Sequence, residues 1–599
     1  MRDRAIRIAN FSGYLGDRYT ALAEALAGDP VDVLAGDYLA EITLAMLAVR
    51  HRRDPARGYV EYFLDQLRPH LATLVERGVK VITNAGGFHP AGLADAVRTA
   101  AGEAGVTLSV AHVEGDNLLA DLDALAATHP LTHLDTGRPL SSWGTTPIAA
   151  NAYLGGRGIA AALAGGADVV VCGRVTDASL AAGPAAWWHG WDAGDWDRLA
   201  GAVVAGHVIE CGPQAVGGNF SGFTGVPGMT QPGFPIAEIA ADGGCVITKH
   251  TRDGGVVTVD TVTAQLVYEI QGLRYLNPDV TVHLDDVRLS PVGPDRVAIS
   301  GAAGSPPPPT TKVAVFGQIG HSVVNTVYVT GLDVDTKVAL LHEQLGRDRP
   351  DGVDIDVKRI GVPAENPGSQ WDATAAVRIM ATSRDREPLE RFGLAARIGS
   401  LYLQSFPGFF HDGGGELAVR PRPRIDYWPA VLAADVVPHR VVFGDGQAHD
   451  VAPPPETSIV DQPVHPEPIE EPEGTRLVPL GTVAHARSGD KGGNCNLGVW
   501  TSDPAAWPWL RCTLSTATLR KLLPEAADLE IVRHEFPHLR AVHFVLRGLL
   551  GTGGSSNLRV DQVGKAVGEY LRARLVLVPE ELVPDELVPD ELLKGEDHR

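Results

Sequence analysis

The segment that most constrains the fold is a short apolar run at residues 167–172, ADVVVC. A β-branched run of this length, bounded by glycines, is typical of a strand that is buried on both faces of a parallel sheet. The loop that follows carries a cation in Arg174 and a carboxylate in Asp177. In open α/β sheets, ligands bind outside the carboxyl ends of the strands. We therefore predict that Arg174 binds substrate and that Asp177 is catalytic, with a simple helix cap as the alternative for Asp177.

The residues before this strand predict a helix that begins at Thr146 and Pro147 and ends near Leu163. A threonine cap, a proline in the first turn and apolar residues at helical spacing all favour it. Glycines at positions 155, 156 and 158 fall inside this helix, and each costs about 1 kcal/mol relative to alanine. We expect a backbone or a ligand to approach the helix closely there.

Strands and helices alternate along residues 1–234, which predicts a mostly parallel, doubly wound α/β sheet. Strands are predicted at residues 4–10, 31–34, 79–83 and 106–110, each followed by polar residues. Parallel strands bring their carboxyl ends to one edge of a sheet. The residues expected to line one cleft at this edge are Asp37, Asn84, Glu114 and Asp177. No GxGxxG follows a strand, so we expect no dinucleotide and no required cofactor.

Carboxylates concentrate in the predicted loop that contains Glu114 and Asp116. Two carboxyl groups in one pocket push their pKa values apart, which supplies an acid and a base, and we predict that both residues and Asp37 are catalytic. The same oxygens suit a divalent cation such as Mg²⁺, and an Asx turn at Asp116 is a further alternative. The residues predicted to bind substrate on these loops are Asn84, Gly86, Gly87 and Asn117.

A second candidate pair is Glu210 and Cys211, a possible base beside a thiol. A glycine-rich stretch at residues 217–222 follows, and we predict that it folds over a ligand with Asn219 in contact with substrate. The pair favours a cysteine nucleophile, although a free cysteine is more often a small buried apolar residue. GxSxG is absent, so the sequence does not favour a serine nucleophile.

Composition divides the rest of the chain. Residues 235–450 are rich in strand-like runs and predict a second, mixed α+β part, whereas residues 451–474 are rich in proline and acid and predict a linker. Residues 475–578 predict a small α+β domain, and residues 579–599 predict a disordered tail.

The C-terminal domain contains a dense motif at residues 487–494, RSGDKGGN. Its glycines free backbone amides and its cations add charge, which suits a phosphate or a carboxylate. We therefore predict that Arg487 and Lys491 bind substrate. The alternative is a tight hairpin in which Asp490 and Lys491 pair with each other.

The chain has 599 residues and a net charge of -22, which argues against a nucleic-acid partner because phosphates require a basic surface. Its five cysteines are dispersed without a CxxC pair, as in a reducing compartment. The sequence shows neither a secretory leader nor an apolar run long enough to span a membrane. We expect a cytoplasmic homo-oligomer that binds a small molecule.

Several segments, in order, resemble the acyclic terpene utilisation protein A family. They are NFSGYLGDR, NAGGFHPAGL, HVEGDNL, GGADVVVCGRVTDASL and ECGPQAVGGNFSGF, then ARSGDKGGNCNLGVW and RHEFPHLRAVHFVLRGLLGTGGSSN. The resemblance implies a ferredoxin-like C-terminal domain. It also implies a context in the degradation of citronellol- and geraniol-type compounds as acyl-CoA derivatives, but no agreed reaction or catalytic residue.

These features together predict an enzyme of acyclic terpene or branched-chain acyl-CoA catabolism. A hydratase, dehydratase or related lyase with carboxylate acid–base chemistry fits best, acting on a CoA thioester or a carboxylic acid. Thioester hydrolysis through Cys211 or Glu210 is one alternative, and a non-catalytic binding or scaffold subunit is another. Strongly perturbed carboxylates in a deep pocket favour an enzyme, whereas a solvated strand edge favours a scaffold.

Overall fold

The computed structural model describes residues 4–411, 417–468 and 474–584. Its contacts divide the chain into two compact units. The first comprises Met1–Trp143, Ile148–Val315 and Tyr427–Arg599, and the second comprises Gly144–Pro147 and Phe316–Asp426. All residues predicted from the sequence to form a functional site belong to the first unit.

The strands are numbered in chain order. They are β1 (Ile6–Ser12), β2 (Val33–Gly36), β3 (Lys80–Thr83), β4 (Val110–Glu114), β5 (Pro147–Ala152), β6 (Val169–Cys172), β7 (Pro235–Ile239), β8 (Cys245–Lys249), β9 (Arg274–Leu276), β10 (Thr281–His283), β11 (Arg288–Gly293), β12 (Arg296–Ser300), β13 (Ala303–Ser305), β14 (Thr310–Thr330), β15 (Val353–Ile360), β16 (Thr374–Ser383), β17 (Phe410–His411), β18 (Arg422–Ala433), β19 (Arg440–Val442), β20 (Ala448–Asp450), β21 (Arg476–Pro479), β22 (His485–Lys491), β23 (Asn494–Trp500), β24 (Ile531–Phe536), β25 (Ala541–Leu546) and β26 (Leu575–Val578).

The α-helices follow the same numbering. They are α1 (Ala21–Ala27), α2 (Glu41–Arg53), α3 (Glu61–Leu67), α4 (Leu71–Arg77), α5 (Pro90–Glu103), α6 (Leu122–Thr128), α7 (Arg157–Ala164), α8 (Ser179–His189), α9 (Trp196–Ile209), α10 (Val259–Leu266), α11 (Val334–Gly346), α12 (Arg386–Phe392), α13 (Leu394–Ser400), α14 (Trp507–Thr513), α15 (Thr516–Leu522) and α16 (Val567–Arg572).

The first unit is built on an eleven-stranded sheet with the order β11-β12-β8-β7-β1-β2-β3-β6-β4-β19-β20. Its five central strands, β1, β2, β3, β6 and β4, are parallel neighbours. The flanking strands pair in the antiparallel sense. The apolar run that follows the paired glycines forms β6, and its three valines are buried because helices and loops cover the sheet. The predicted α/β fold class is confirmed.

The predicted sheet differs from the observed one at β4, which begins four residues later than expected. Val110 pairs with Val169 of β6, and the pairing continues through Val113. Glu114 is therefore the last residue of the strand rather than part of the loop beyond it. The predicted boundary at residue 235 falls inside the same sheet, because β7 pairs with β1 and β8 pairs with β7.

The helix predicted from Thr146 to Leu163 is wrong in its first half. Residues Pro147–Ala152 form β5, which pairs with β14, and α7 begins only at Arg157. Pairing with a strand from much later in the chain overrides the local helix signals. The predicted close approach at the glycines is confirmed, since a Cβ on Gly156 would stand 2.8 Å from the amide nitrogen of Gly183 in α8.

The second unit has its own core. The segments of β14 and β16 that pair here are antiparallel, with β15 beside β16 and β17 beside β14. Helices α11 to α13 contribute apolar side chains to the same cluster. Its fully buried residues include Val327, Leu341, Val377, Ile379 and Ile398.

The C-terminal domain, in the first unit, is an antiparallel sheet of order β22-β23-β25-β24 with helices α14 to α16. Its core includes Leu497, Leu510 and Phe544. The anion-binding loop predicted at residues 487–494 is instead a β-hairpin, in which β22 and β23 are joined by two glycines. Gly492 has a φ of 64°, which a residue with a Cβ rarely adopts.

The predicted linker is fixed to the first unit along its described part. Residues 451–468 form neither helix nor strand, but the side chain of Gln462 accepts from the Arg274 amide at 2.9 Å and donates to its carbonyl at 2.7 Å. Linker residues 469–473 and tail residues 585–599 lie outside the described residues. Before them, Glu580–Leu582 forms one turn of 3-10 helix.

Candidate active site

Polar side chains that follow three parallel strands meet at one edge of the central sheet. Asp37 follows β2, Asn84 follows β3, and Asp177 lies beyond β6. The Asn84 amide donates to Asp37 at 2.7 Å, and the charge of Asp177 acts on Asp37. The side chains that interact around this point, here called the polar cluster, are Asp37, Glu41, Asn84, Tyr153, Arg174, Asp177, Glu210, Glu269, Tyr275, Lys312 and Lys491.

Arg174 is a nearly fully buried cation of the polar cluster. Its Nη1 donates to Asp177 at 2.6 Å and to the Val175 carbonyl at 2.8 Å, and its guanidinium lies 4.1 Å from the centre of the Tyr153 ring. Burial acts to lower the pKa of Arg174, but Asp177, Tyr153 and Glu41 together outweigh it and hold the pKa above its usual value. Among the described residues, none accepts a hydrogen bond from its Nε. A fixed positive charge therefore faces the carboxylates.

Glu41, Tyr153 and Lys312 form a second charged group. Glu41 is the first residue of α2, and its carboxylate accepts from the Tyr153 hydroxyl at 2.9 Å and from Lys312 at 3.2 Å. Burial acts to raise the pKa of Glu41, yet the charges of Lys312 and Lys491 hold it well below its usual value. This carboxylate is ionised at neutral pH.

The C-terminal domain supplies Lys491 at the end of β22. Its ammonium donates to Glu269 at 3.2 Å, with side-chain exposures of 24% and 19%. Burial opposes both charges, but the pair raises the pKa of Lys491 and lowers that of Glu269. Both side chains are partly buried rather than fully enclosed. The predicted alternative is right about the hairpin but wrong about its pairing, because Lys491 pairs with Glu269 and not with Asp490, while substrate binding by Lys491 stays a prediction.

Glu269 is held in an unusual backbone conformation. Its φ is 55°, in the left-handed region, and its amide donates to the Asn496 side chain of β23 at 3.0 Å. A non-glycine residue in this region costs about 1–3 kcal/mol and persists only where its surroundings impose it. The C-terminal domain therefore both pairs with the Glu269 carboxylate and fixes the backbone that presents it.

The C-terminal domain also contacts the buried ring of Tyr268 through two cationic side chains. The guanidinium of Arg487 lies 4.3 Å from the ring centre and contacts the side chain of Gln214. Lys565 donates to the Tyr268 hydroxyl at 2.7 Å. The ring fills a space that is open only because residue 489 is a glycine. Arg487, predicted to bind substrate, thus joins the C-terminal domain to the rest of the unit.

Two other carboxyls have pKa values shifted in the opposite direction from those of Glu41 and Glu269. Burial, followed by the charge of Asp177, raises the pKa of Asp37 well above its usual value. Burial also raises the pKa of Glu210, although His207 lies 3.1 Å away and acts against the shift. The second oxygen of Glu210 has no hydrogen-bond partner among the described residues. The polar cluster therefore contains carboxyls whose pKa values are shifted in opposite directions.

Asp490 is a further carboxyl, outside the polar cluster, on which the charges of the cluster act. Burial and the charges of Glu269 and Glu41 raise its pKa to about 7, against the effect of Lys491. A carboxyl with this pKa exchanges protons readily near neutral pH. Sequence analysis assigned Asp490 no role beyond pairing with Lys491.

Cys211 is a thiol in these surroundings. Burial and the charges of Glu269 and Glu210 raise its pKa well above its usual value. A nucleophilic cysteine requires the thiolate, which this environment disfavours. Asn219, predicted to contact substrate, is exposed with a φ of 55°.

Two predicted residues make their side-chain contacts with residues outside the polar cluster. Glu114 ends β4, where its carboxylate pairs with Arg440 at 2.6 Å and lies 3.5 Å from His112. Asn117 is exposed, and its side chain accepts from the Leu119 amide at 3.2 Å, as in an Asx turn. That Glu114 lines one cleft with Asp37 stays a prediction, since Glu114 ends β4 at the carboxyl edge of the sheet but its carboxylate contacts Arg440 and His112.

Asp116, Gly86 and Gly87 shape the edge of the sheet. Asp116 accepts from the Asn151 side chain and from the Arg174 amide, both at 2.8 Å, and burial raises its pKa to about 6. It therefore holds the loop that carries Arg174. A Cβ on Gly86 would stand 2.5 Å from the Cys172 carbonyl, and Gly87 has a φ of 53°. Both glycines are explained by backbone packing.

Sequence reasoning missed three charged residues of the polar cluster. Glu41 is the first residue of the helix that follows the loop after β2, close in sequence to the predicted Asp37. Its position near the site could therefore have been predicted. Lys312 and Glu269 come from a distant strand and a loop, and no local pattern marks them. Among the described residues, no group of three or more histidine, cysteine or acidic side chains is arranged to hold a metal ion. In the same part of the chain, no helix has the length and apolarity to cross a membrane.

Comparison with known proteins gives two matches. The family model described as "Acyclic terpene utilisation family protein AtuA" matches residues 6–443. The model described as "AtuA ferredoxin-like domain" matches residues 478–576, which confirms the predicted class of the C-terminal domain. Neither a curated protein nor a solved structure matches the chain.

Proposed function

The chain belongs to the acyclic terpene utilisation AtuA family, and from this premise we propose that the polar cluster is the active site of a lyase. The reaction is the addition of water to, or its removal from, a branched acyclic acid or its CoA thioester. The observation that carries the proposal is the opposite shift in pKa of neighbouring carboxyls around shared cations. The pKa values of Glu269 and Glu41 are lowered, whereas those of Asp37 and Glu210 are raised.

Opposite pKa shifts within one site suit a proton-transfer reaction. Pairs of carboxyls whose environments push their pKa values apart supply a base and an acid at the same pH. In hydration, ionised Glu269 takes a proton from water, and the water oxygen bonds to the β-carbon of the substrate. The double-bond electrons move to the α-carbon, which takes a proton from Glu210 or Asp37. Dehydration reverses each step.

The cations account for the class of substrate. Lys491, Lys312 and Arg174 act on the same carboxylates, so a substrate oxygen that enters the cluster meets several positive charges. A carboxylate or a thioester oxygen gains negative charge as the α-carbon loses or accepts its proton. Fixed cations in a partly buried site stabilise that charge more than water does.

The test is turnover of a substrate panel by the full-length protein. Branched α,β-unsaturated acids, their hydroxy counterparts and the CoA thioesters of both are incubated with the protein and read by mass spectrometry. We expect the gain or loss of one water in at least one substrate, with deuterium entering the α-carbon in heavy water. Glu269→Gln should lower turnover by about 10²- to 10⁴-fold, the usual contribution of a general base.

A matched control separates this site from the other carboxylates. Glu114→Gln changes a carboxylate outside the polar cluster and should leave turnover within about twofold, as most surface substitutions do. Release of free CoA instead of water exchange would indicate a thioester hydrolase, and binding without conversion would indicate a scaffold. Turnover that survives Glu269→Gln would refute the assigned base.

A further inference from the structure

A serine and a histidine meet outside the polar cluster. The Ser221 Oγ lies 3.0 Å from Nδ1 of His485, although the two residues are 264 positions apart. Ser221 belongs to the glycine-rich stretch, and His485 is the first residue of β22. This distance allows the hydroxyl to donate to the ring nitrogen, the arrangement by which a histidine activates a serine.

The histidine ring is fixed in position and neutral. It packs against the rings of Phe220 at 4.9 Å and Trp500 at 5.5 Å. Burial lowers the pKa of His485, with Asp260 and Glu569 acting against the shift and Arg572 adding to it. Asp260 itself is held by Trp500 at 3.1 Å. A neutral ring can take a proton, so the chemical state suits a general base.

The serine is accessible from an apolar surface. Ser221 is half-buried, and Phe223, two residues later, is 57% exposed. Within the described chain, the backbone amides of Ser221 and Gly222 make no backbone hydrogen bond. These two donors lie next to the hydroxyl, where acyl transfer requires donors for the carbonyl oxygen.

We propose that Ser221 and His485 form a nucleophile–base pair that accepts an acyl group from a thioester with an apolar acyl chain. The Ser221 Oγ bonds to the carbonyl carbon while its proton passes to Nδ1 of His485, and the carbon–sulfur bond then breaks. The leaving thiolate takes the proton from His485. Water attacks the resulting ester in the same way, which releases the acid and restores the serine. The site is separate from the polar cluster, and its activity does not depend on the proposed lyase reaction.

A fluorophosphonate with an alkyl chain tests the pair directly, because it bonds to activated serines with loss of fluoride and needs no knowledge of the substrate. The full-length protein is incubated with the probe, and the mass of the intact protein and of its peptides is measured. We expect one label on the peptide that contains Ser221. Ser221→Ala should abolish it, and His485→Gln should slow it by about a hundredfold.

Two controls keep the result decisive. Ser502→Ala removes another hydroxyl near His485, one that bonds to Asp260 at 2.8 Å, and should label at the wild-type rate. If His485→Gln fails to fold, the wild-type pH profile decides: labelling should stay constant from pH 8 to about 6.5, the ordinary histidine pKa, and fall at lower pH as the ring takes a proton, whereas labelling that does not fall would overturn the proposal. Absence of label at Ser221, or equal labelling of folded wild type and His485→Gln, would overturn the proposal.

Discussion

Replacing Lys491 by alanine tests whether the C-terminal domain completes the polar cluster. The substitution removes the ammonium that donates to Glu269 at 3.2 Å and that also acts on Glu41 and Glu210. Glu269 stays in place, because its backbone is held by Asn496. The perturbation is therefore electrostatic, with little loss of packing.

The magnitude follows from the environment of the pair. A hydrogen bond between charged groups contributes about 1.5–3 kcal/mol. Removing one member of a fully buried pair costs about 3–5 kcal/mol, but side-chain exposures of 24% and 19% allow water to solvate the remaining Glu269 carboxylate. We therefore expect a loss of about 1.5–3 kcal/mol in transition-state stabilisation, which corresponds to about a ten- to hundredfold loss of turnover.

The pH dependence gives a second readout. The pKa of Glu269 is lowered in the folded protein, so its contribution to stability is present above its ordinary pKa of 4.5 and is lost as the pH falls. The pKa of Lys491 is raised, so its contribution is present at neutral pH and is lost only in strong alkali. The stability difference between wild type and Lys491→Ala should therefore narrow below about pH 4.5.

The assay compares thermal melting and turnover of wild type, Lys491→Ala and Lys521→Ala. Lys521 is an exposed lysine of α15 in the same domain and should behave as wild type. Lys565 is unsuitable as the control, because it bonds to Tyr268. Unchanged turnover in Lys491→Ala, or a loss of stability with no loss of activity, would show that the hairpin only docks the domain.

Three further predictions follow from the packing and the charges. Gly156→Val should lower the melting temperature by more than the helix-propensity cost of about 1 kcal/mol implies, because its Cβ would crowd Gly183; a wild-type melting curve would contradict this. Glu41→Gln should cost about 1–3 kcal/mol in unfolding free energy at pH 7, measured in urea, since Lys312 loses its ion partner. Burial lowers the pKa of His543 to about 3, so stability is lost as the pH falls below 6.5, and His543→Phe should weaken that dependence in urea titrations from pH 7 to 4.

The sequence located part of the site because strand ends carry a local signal. Asp37, Asn84 and Asp177 follow buried apolar runs, and the parallel pairing of those runs brings them together. Glu114 was expected in the loop after β4, but it is the last residue of that strand. Its strand continues past the expected end, so the side chain pairs across the sheet with Arg440.

No local sequence pattern identifies the residues that pair with the predicted cations. Lys491 is recognisable in the sequence as a charge among glycines. Glu269 is not, because its left-handed backbone is held by Asn496 of the C-terminal domain. Pro147 illustrates the same limit for secondary structure, since its helix signal yields to pairing with β14. Local propensity is a weak determinant where tertiary pairing competes with it.

The ion pair between Glu269 and Lys491 also sets an order for biosynthesis. The two residues are 222 positions apart. At about 5–20 residues per second, the ribosome makes Glu269 roughly 11–44 s before Lys491. During that interval the nascent chain carries the acidic half of the cluster without this counter-charge. Chains that end before β22 therefore retain Arg174 and Lys312 but lack the Lys491 counter-charge of Glu269.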